Sequence, residues 1–218
     1  MELIRLENVA RINDTSKRIL SNISFSVFED EWVGITGPAG SGKRTLAHVI
    51  AGLTEVSAGK VFWRGEEIAK RTENASFCKE QLIILAEGIS FIEELTLYQN
   101  LTFFFDGLPR KTQRDKIEEI AEKYAFSSFL YAYPKMLSEK QKSLSRLSIG
   151  IEKEASIFLL QGMLARLLKE EWESLIYFLQ ENKPKKSAVL LLEDDIFINK
   201  YAQHIYHLNK GVLEEYVI

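Results

Sequence analysis

The chain has 218 residues, 46% hydrophobic and 27% charged, enough to bury a substantial core and ordinary for a globular protein. A formal net charge of −3 gives no global basic character, so nucleic acid is not an expected partner. The single cysteine, Cys78, cannot form an internal disulfide, no apolar run reaches the roughly 20 residues that span a bilayer, and the start MELIRLENVARIND lacks the layout of a secretory signal, so we expect a cytoplasmic protein that meets a membrane only through another subunit.

The segment NISFSVF alternates Ile23, Phe25 and Val27 with small polar residues, the period of two of a half-buried strand. EWVGITG follows as a short apolar run that stops at glycine and proline, and beyond a glycine-rich loop TLAHVIAGL reads as a buried helix ending at Gly52. Three further apolar runs, QLIILAE near residue 84, SIFLLQG near 159 and AVLLLED near 190, suit parallel strands covered on both faces. Between the first two, RDKIEEIAEKYAF places Ile117, Ile120, Ala121 and Tyr124 on one helical face, and Leu144, Leu147, Ser148 and Ile151 repeat that spacing after LSEKQ. A further amphipathic helix carries Leu168, Trp172, Leu175, Ile176 and Leu179. KPKK, Lys183 to Lys186, reads as an exposed turn, and IYHLNKGVLEEYV closes with two short strands around Lys210 and Gly211.

The strand, loop and helix frame GPAGSGKRTL, Gly37 to Leu46. Gly37, Gly40 and Gly42 let the backbone curl so that successive N–H groups point inward, the helix adds its positive N-terminal end, and Lys43 supplies a mobile ammonium for the terminal phosphates of a nucleotide. The spacing GxxxxGK is complete from Gly37 to Lys43, so Gly37, Pro38, Ala39, Gly40, Ser41, Gly42, Lys43, Arg44 and Thr45 are the expected nucleotide-binding residues. A plain glycine-rich connector would need neither the correct flanks nor the lysine. Arg44 stands where such a loop places a hydroxyl for Mg²⁺, and a guanidinium offers only donors and positive charge. Thr45 would project about 100° further around the helix. Arg44 either points away and leaves the ion to water, or lies against the phosphates in its place.

The order of segments resembles the nucleotide-binding subunit of ABC transporters over essentially the whole chain: LIRLENVARI, then ILSNISFSVFEDEWVGITGPAGSGKRTLAHVIAGL, SAGKVFWRGEEI, ISFIEELTLYQNL, YPKMLSEKQKSLSRLSIG, SIFLLQG and IYHLNKG. The resemblance implies an α/β fold, a P-loop NTPase (RecA-like) core with an N-terminal antiparallel β subdomain and an inserted α-helical subdomain. It implies one nucleotide-binding domain over 1–218, with about 1–88 and 149–218 forming the β subdomain and core and about 89–148 the helical part.

Most of the family's functional positions are altered here. The metal-sensing glutamine falls at Glu87. The signature LSGGQ is Leu137, Ser138, Glu139, Lys140 and Gln141, its two glycines replaced by a charged pair. The strand that should end in a metal-binding aspartate and a water-activating glutamate ends in Gln161 and Gly162. The aspartate of the loop after that strand corresponds to Leu168, the later histidine position falls at Glu193 or Asp194, and the adenine-stacking aromatic falls near Ile12 or Asn13. Losing a general base commonly lowers a rate by about 10² to 10⁴, and losing metal carboxylates as well should leave little turnover. Ser138 and Gln141 also fit a helix capping box.

The expected ligand is therefore ATP, with Mg²⁺ bound weakly or not required, and no catalytic residue or metal ligand is assigned. The expected partners are a transmembrane permease subunit and another ABC ATP-binding subunit, identical or paralogous, at the inner face of a membrane. The alternative is a pseudo-ATPase acting as a regulatory or scaffolding module outside transport. A P-loop kinase of small metabolites fits LSEKQ and the closing strands poorly. His48, His204 and His207 lack ligand spacing and read as structural. Phe103, Phe104 and Phe105 are either core or exposed anchors for a partner helix.

Overall fold

The computed structural model describes residues 1–68, 82–85, 91–162, 167–182, 187–193 and 195–216. Cys78, Glu87, the KPKK turn and Asp194 lie outside the described residues. The chain divides into two compact units, one from Met1–Glu87, Ser156–Met163 and Lys185–Ile218, the other from Gly88–Ala155 and Leu164–Pro184.

The first unit holds two sheets. Strands β1 (Glu2–Ile12), β2 (Arg18–Phe28), β4 (Ala58–Trp63) and β5 (Glu66–Glu67) form an antiparallel sheet in the order β2-β1-β4-β5. Its inner face is the alternation read from the sequence: Ile23, Phe25 and Val27 are buried, opposite Val9, Leu6 and Ile4 of β1. A register shift between Leu6 and Val9, with Asn8 at φ +50°, swings β1 without exposing either apolar residue.

The second sheet has the order β10-β9-β3-β8-β7-β6, built from β3 (Trp32–Thr36), β6 (Leu82–Leu85), β7 (Ile157–Gln161), β8 (Ser187–Leu191), β9 (His204–Asn209) and β10 (Val212–Glu215). All neighbours are parallel except the closing β9–β10 hairpin. Every residue of β3, β7 and β8 is buried, which is why these runs lack alternation and charge. Helix α1 (Lys43–Ile50) buries Leu46, Ala47, Val49 and Ile50 in the core that joins both sheets, and Trp63 Nε1 donates to Ile50 O at 3.2 Å. Each fully buried Leu, Ile or Val contributes about 1.5–3 kcal/mol to such a core.

The second unit is helical: α2 (Leu97–Thr102), a 3₁₀ turn at Phe103–Phe105, α3 (Arg110–Lys123), α4 (Glu139–Glu152) and α5 (Lys169–Asn182). Ile117, Ile120, Ala121 and Tyr124 face inward, as do Leu147, Ser148 and Ile151, with Leu144 half-buried. Trp172, Leu175, Ile176 and Leu179 are buried on α5. Leu168, expected on that same apolar face, is instead 69% exposed. It precedes the first helical turn, where its N–H donates to Glu171 Oε2 at 3.0 Å, so the helical period does not reach it. The phenylalanine triplet splits: Phe105 is buried and Phe103 is 58% exposed. Among the described residues no helix is long and apolar enough to cross a membrane. A short helix α6 (Asp195–Tyr201), in the first unit, links β8 to β9.

Candidate functional site

Strand β3 runs between β8 and β9 near the middle of the parallel sheet and releases the chain at Gly37. Ligands of open α/β sheets gather at the carboxyl ends of such strands, so the loop from Gly37 to Gly42 occupies the expected position. Gly37 has φ +142°, and a Cβ there would lie 2.0 Å from Leu208 O, so no other residue fits without moving β9. Gly42 is the N-cap of α1; no side chain caps that end and no acidic residue lies in the first turn, which leaves the helix's positive terminus directed at the loop.

Lys43 folds back over this loop. Its Nζ donates to Gly37 O at 2.5 Å and Pro38 O at 2.9 Å, with Ser41 Oγ at 3.4 Å, and the side chain is buried. Burial pulls the ammonium below the ordinary lysine range, partly opposed by the Glu193 carboxylate. Glu193 Oε1 stands 3.9 Å from Nζ. Of the other expected residues, Gly37 and Ser41 are buried, Pro38, Ala39 and Gly40 exposed, and Gly42 and Thr45 half-buried. Arg44 is exposed, and its charge is felt one turn along α1, where burial first and Arg44 second depress the proton affinity of His48. His48 Nε2 is buried without a hydrogen-bond partner among the described residues.

The hold on the loop comes from a segment whose role the local sequence does not announce. Gly211 N donates to Ser41 O at 2.9 Å, and Ser21 N donates to Gly211 O at 2.8 Å, so the β9–β10 turn is stitched to both β2 and the loop. A Cβ at Gly211 would lie 2.2 Å from Ile19 O. Thr36 Oγ1, at the end of β3, pairs with His207 Nδ1 at 3.0 Å. The only hint in the sequence is the Asn-Lys-Gly turn itself. His204 lies 3.5 Å from Glu31, an ion pair only when the imidazole is protonated.

Gln161 ends β7 buried beside Leu191, and Gly162 N donates to Leu191 O at 3.3 Å. An amide there offers an oxygen without the charge of a carboxylate. Around the loop the described donors are Ser41, Thr45, Gln161 and Glu193, while position 44 offers no oxygen. This set does not fit a divalent ion held by paired carboxylates and an adjacent hydroxyl, and no group of three or more His, Cys, Asp or Glu side chains gathers among the described residues. Asn13 is committed to the β1–β2 turn: its Oδ1 accepts from Thr15 N at 3.1 Å, Thr15 Oγ1 at 2.8 Å and Lys17 N at 2.8 Å. Ile12 beside it is exposed and aliphatic, so neither supplies an aromatic platform.

The segment LSEKQ belongs to the helical unit. Ser138 Oγ accepts from Gln141 N at 3.1 Å and Gln141 Oε1 accepts from Ser138 N at 2.9 Å, the reciprocal capping box expected from sequence. Lys142 Nζ donates to Glu139 Oε1 at 2.5 Å, which offsets the charge of the acid in the pair that replaces two glycines.

Comparison with known proteins agrees with this arrangement. The family model described as ABC transporter matches residues 20–161. A putative ABC transporter ATP-binding protein of Mycoplasma genitalium is 30% identical over 205 residues, 91% of this chain and 66% of that protein. A sulfate/thiosulfate import ATP-binding protein of Photorhabdus laumondii is 28% identical over 94% of this chain and 59% of its own length. The chain thus spans about two thirds or less of these two relatives, whereas it spans 93% of a putative hemin import ATP-binding protein of Staphylococcus haemolyticus, 25% identical over 92% of this chain. A dimeric ATP-binding cassette in a post-hydrolysis state with ADP and Pi superposes with a TM-score of 0.82 at 21% identity, covering 98% of both chains. The chain belongs to the ABC transporter family and has the P-loop α/β fold of its ATP-binding cassettes.

Proposed function

We propose that this chain is the nucleotide-binding subunit of an ABC-type transport complex that holds ATP through residues 37–45 and hydrolyses it poorly or not at all. The observation that carries the reading is the buried Lys43 ammonium ringed by loop oxygens between a buried strand and an uncapped helix start. Gln161, Gly162 and Arg44 support weak turnover and a weak need for Mg²⁺, because the carboxylates and the hydroxyl of a metal-dependent site are replaced by an amide, a hydrogen and a guanidinium. On this reading the whole chain is one nucleotide-binding domain. It works beside a second ATP-binding subunit and a transmembrane permease, at the inner face of a membrane.

The test is equilibrium titration with ATP in Mg²⁺ and in EDTA, alongside steady-state phosphate release. Binding that is nearly indifferent to EDTA and weakened at least about tenfold in Lys43→Ala, with turnover at background, is the expected outcome; robust lysine-dependent hydrolysis would contradict it. One observation favours a second reading, a scaffolding pseudo-ATPase: Asn13 is tied into a turn where an adenine platform would stand. Purification from native membranes separates the two, since only the transport reading brings down a membrane-spanning partner.

A further inference from the structure

Glu193 lies two residues beyond the end of β8, and what it faces rests on the reading of residues 37–45 as a polyphosphate cradle. Its side chain is 64% exposed and that of Lys43 is 8% exposed, so the carboxylate stands at the solvent edge of a buried ammonium, 3.9 Å away. The loop oxygens of Gly37, Pro38 and Ser41 already face the three N–H donors of Lys43. At 3.9 Å Glu193 acts on the lysine as a charge and not as a hydrogen-bond acceptor. Glu193 is the charged side chain whose field reaches Lys43, and Arg44, next along the chain, is exposed on the first turn of α1.

A phosphate oxygen that accepts from Lys43 sits about 2.8 Å from Nζ and therefore no more than about 7 Å from the Glu193 carboxylate in this arrangement. That separation is within one Debye length at physiological salt, about 8 Å. Each negative charge added there weakens binding by about threefold at the dielectric of water and by up to about fiftyfold at that of a protein surface, before screening by salt. We propose that Glu193 is the charge-selecting residue of the phosphate cradle: it penalises each added negative charge at Lys43, so the chain favours a nucleoside diphosphate over the triphosphate more than its loop alone would.

The test compares ATP and ADP affinities of the wild type and Glu193→Gln by calorimetric titration in EDTA, where no divalent ion screens the phosphates, and again in Mg²⁺. The exposed amide should leave folding unchanged, which a thermal melt checks. The ratio of ATP to ADP affinity should rise about threefold or more in Glu193→Gln, rise further in Glu193→Lys, and converge with the wild type in high salt. An equal gain for both nucleotides, no change, or a loss of affinity confined to Mg²⁺ buffers would each overturn the proposal, the last by making the carboxylate an ion ligand. Binding that needs Lys43 but ignores Glu193→Gln refutes only this inference, whereas a wild type that binds neither nucleotide refutes the cradle itself.

Discussion

Gly65 and Gly211 hold nearly the same left-handed backbone, φ +83° and +80°, in different surroundings. A Cβ at 65 meets nothing within 4 Å; at 211 it lies 2.2 Å from Ile19 O and 2.9 Å from the same carbonyl carbon. Alanine at either site carries the conformational cost, about 1–2 kcal/mol. At 211 it adds overpacking against backbone, about 1–3 kcal/mol. If the turn shifts to relieve that contact, it loses the bonds to Ser41 O and from Ser21 N, each about 1 kcal/mol net. Gly211→Ala should therefore be less stable than Gly65→Ala by about 1–3 kcal/mol, read as the difference in urea midpoint at equal slope. Because the lost bond is the one that holds Ser41, nucleotide affinity should fall in Gly211→Ala and not in Gly65→Ala. Coincident midpoints for the two variants would refute the idea that the closing turn braces the loop.

Lys43→Ala should lower ATP affinity by about ten- to hundredfold, the worth of a charge-assisted hydrogen bond, in a direct titration. Arg44→Ser restores a hydroxyl and should make ATP binding more responsive to Mg²⁺, measured by the same titration with and without EDTA. Phe105→Ala should cost about 3–5 kcal/mol in chemical denaturation and Phe103→Ala less than about 0.5 kcal/mol, since only the first leaves a cavity. His48 has a folded-state pKa below its ordinary 6.5, so the unfolded chain binds the proton more readily, and stability should fall as pH drops through that value; His48→Gln should flatten this part of a stability–pH profile relative to the wild type. Ser138→Ala removes the cap of α4 and should lower stability by about 1 kcal/mol.

What the sequence made legible was whatever depends on neighbours along the chain. Strands β3, β7 and β8 read as buried because burial on both faces excludes charge from every position. The Ser138–Gln141 cap read correctly because its partners lie three residues apart, and the return of Lys43 onto its own loop likewise spans only six residues. Leu168 misled because periodicity says which face a residue would take, not whether the helix has begun there. In the phenylalanine run each residue of a 3₁₀ turn rotates about 120° from the last, so three identical side chains cannot share one environment. The closeness of Glu193 to Lys43 depends on β8 lying beside β3, and the Gly211 bond to Ser41 on β9 lying on its other side. Strand order is a global property, and no local pattern encodes it.

The bond from Gly211 to Ser41 also sets an order of events during synthesis. The turn that pins residues 37–43 leaves the ribosome about 170 residues after them, which at ordinary elongation rates is on the order of ten seconds or more. Throughout that interval the nascent chain carries a glycine-rich stretch with its lysine already in place but without its last backbone anchor. Competence to grip a ligand is therefore acquired only when β9 and β10 dock, and a ribosome stalled before residue 211 would display a chain with most of its sheet built and its binding loop still unpinned.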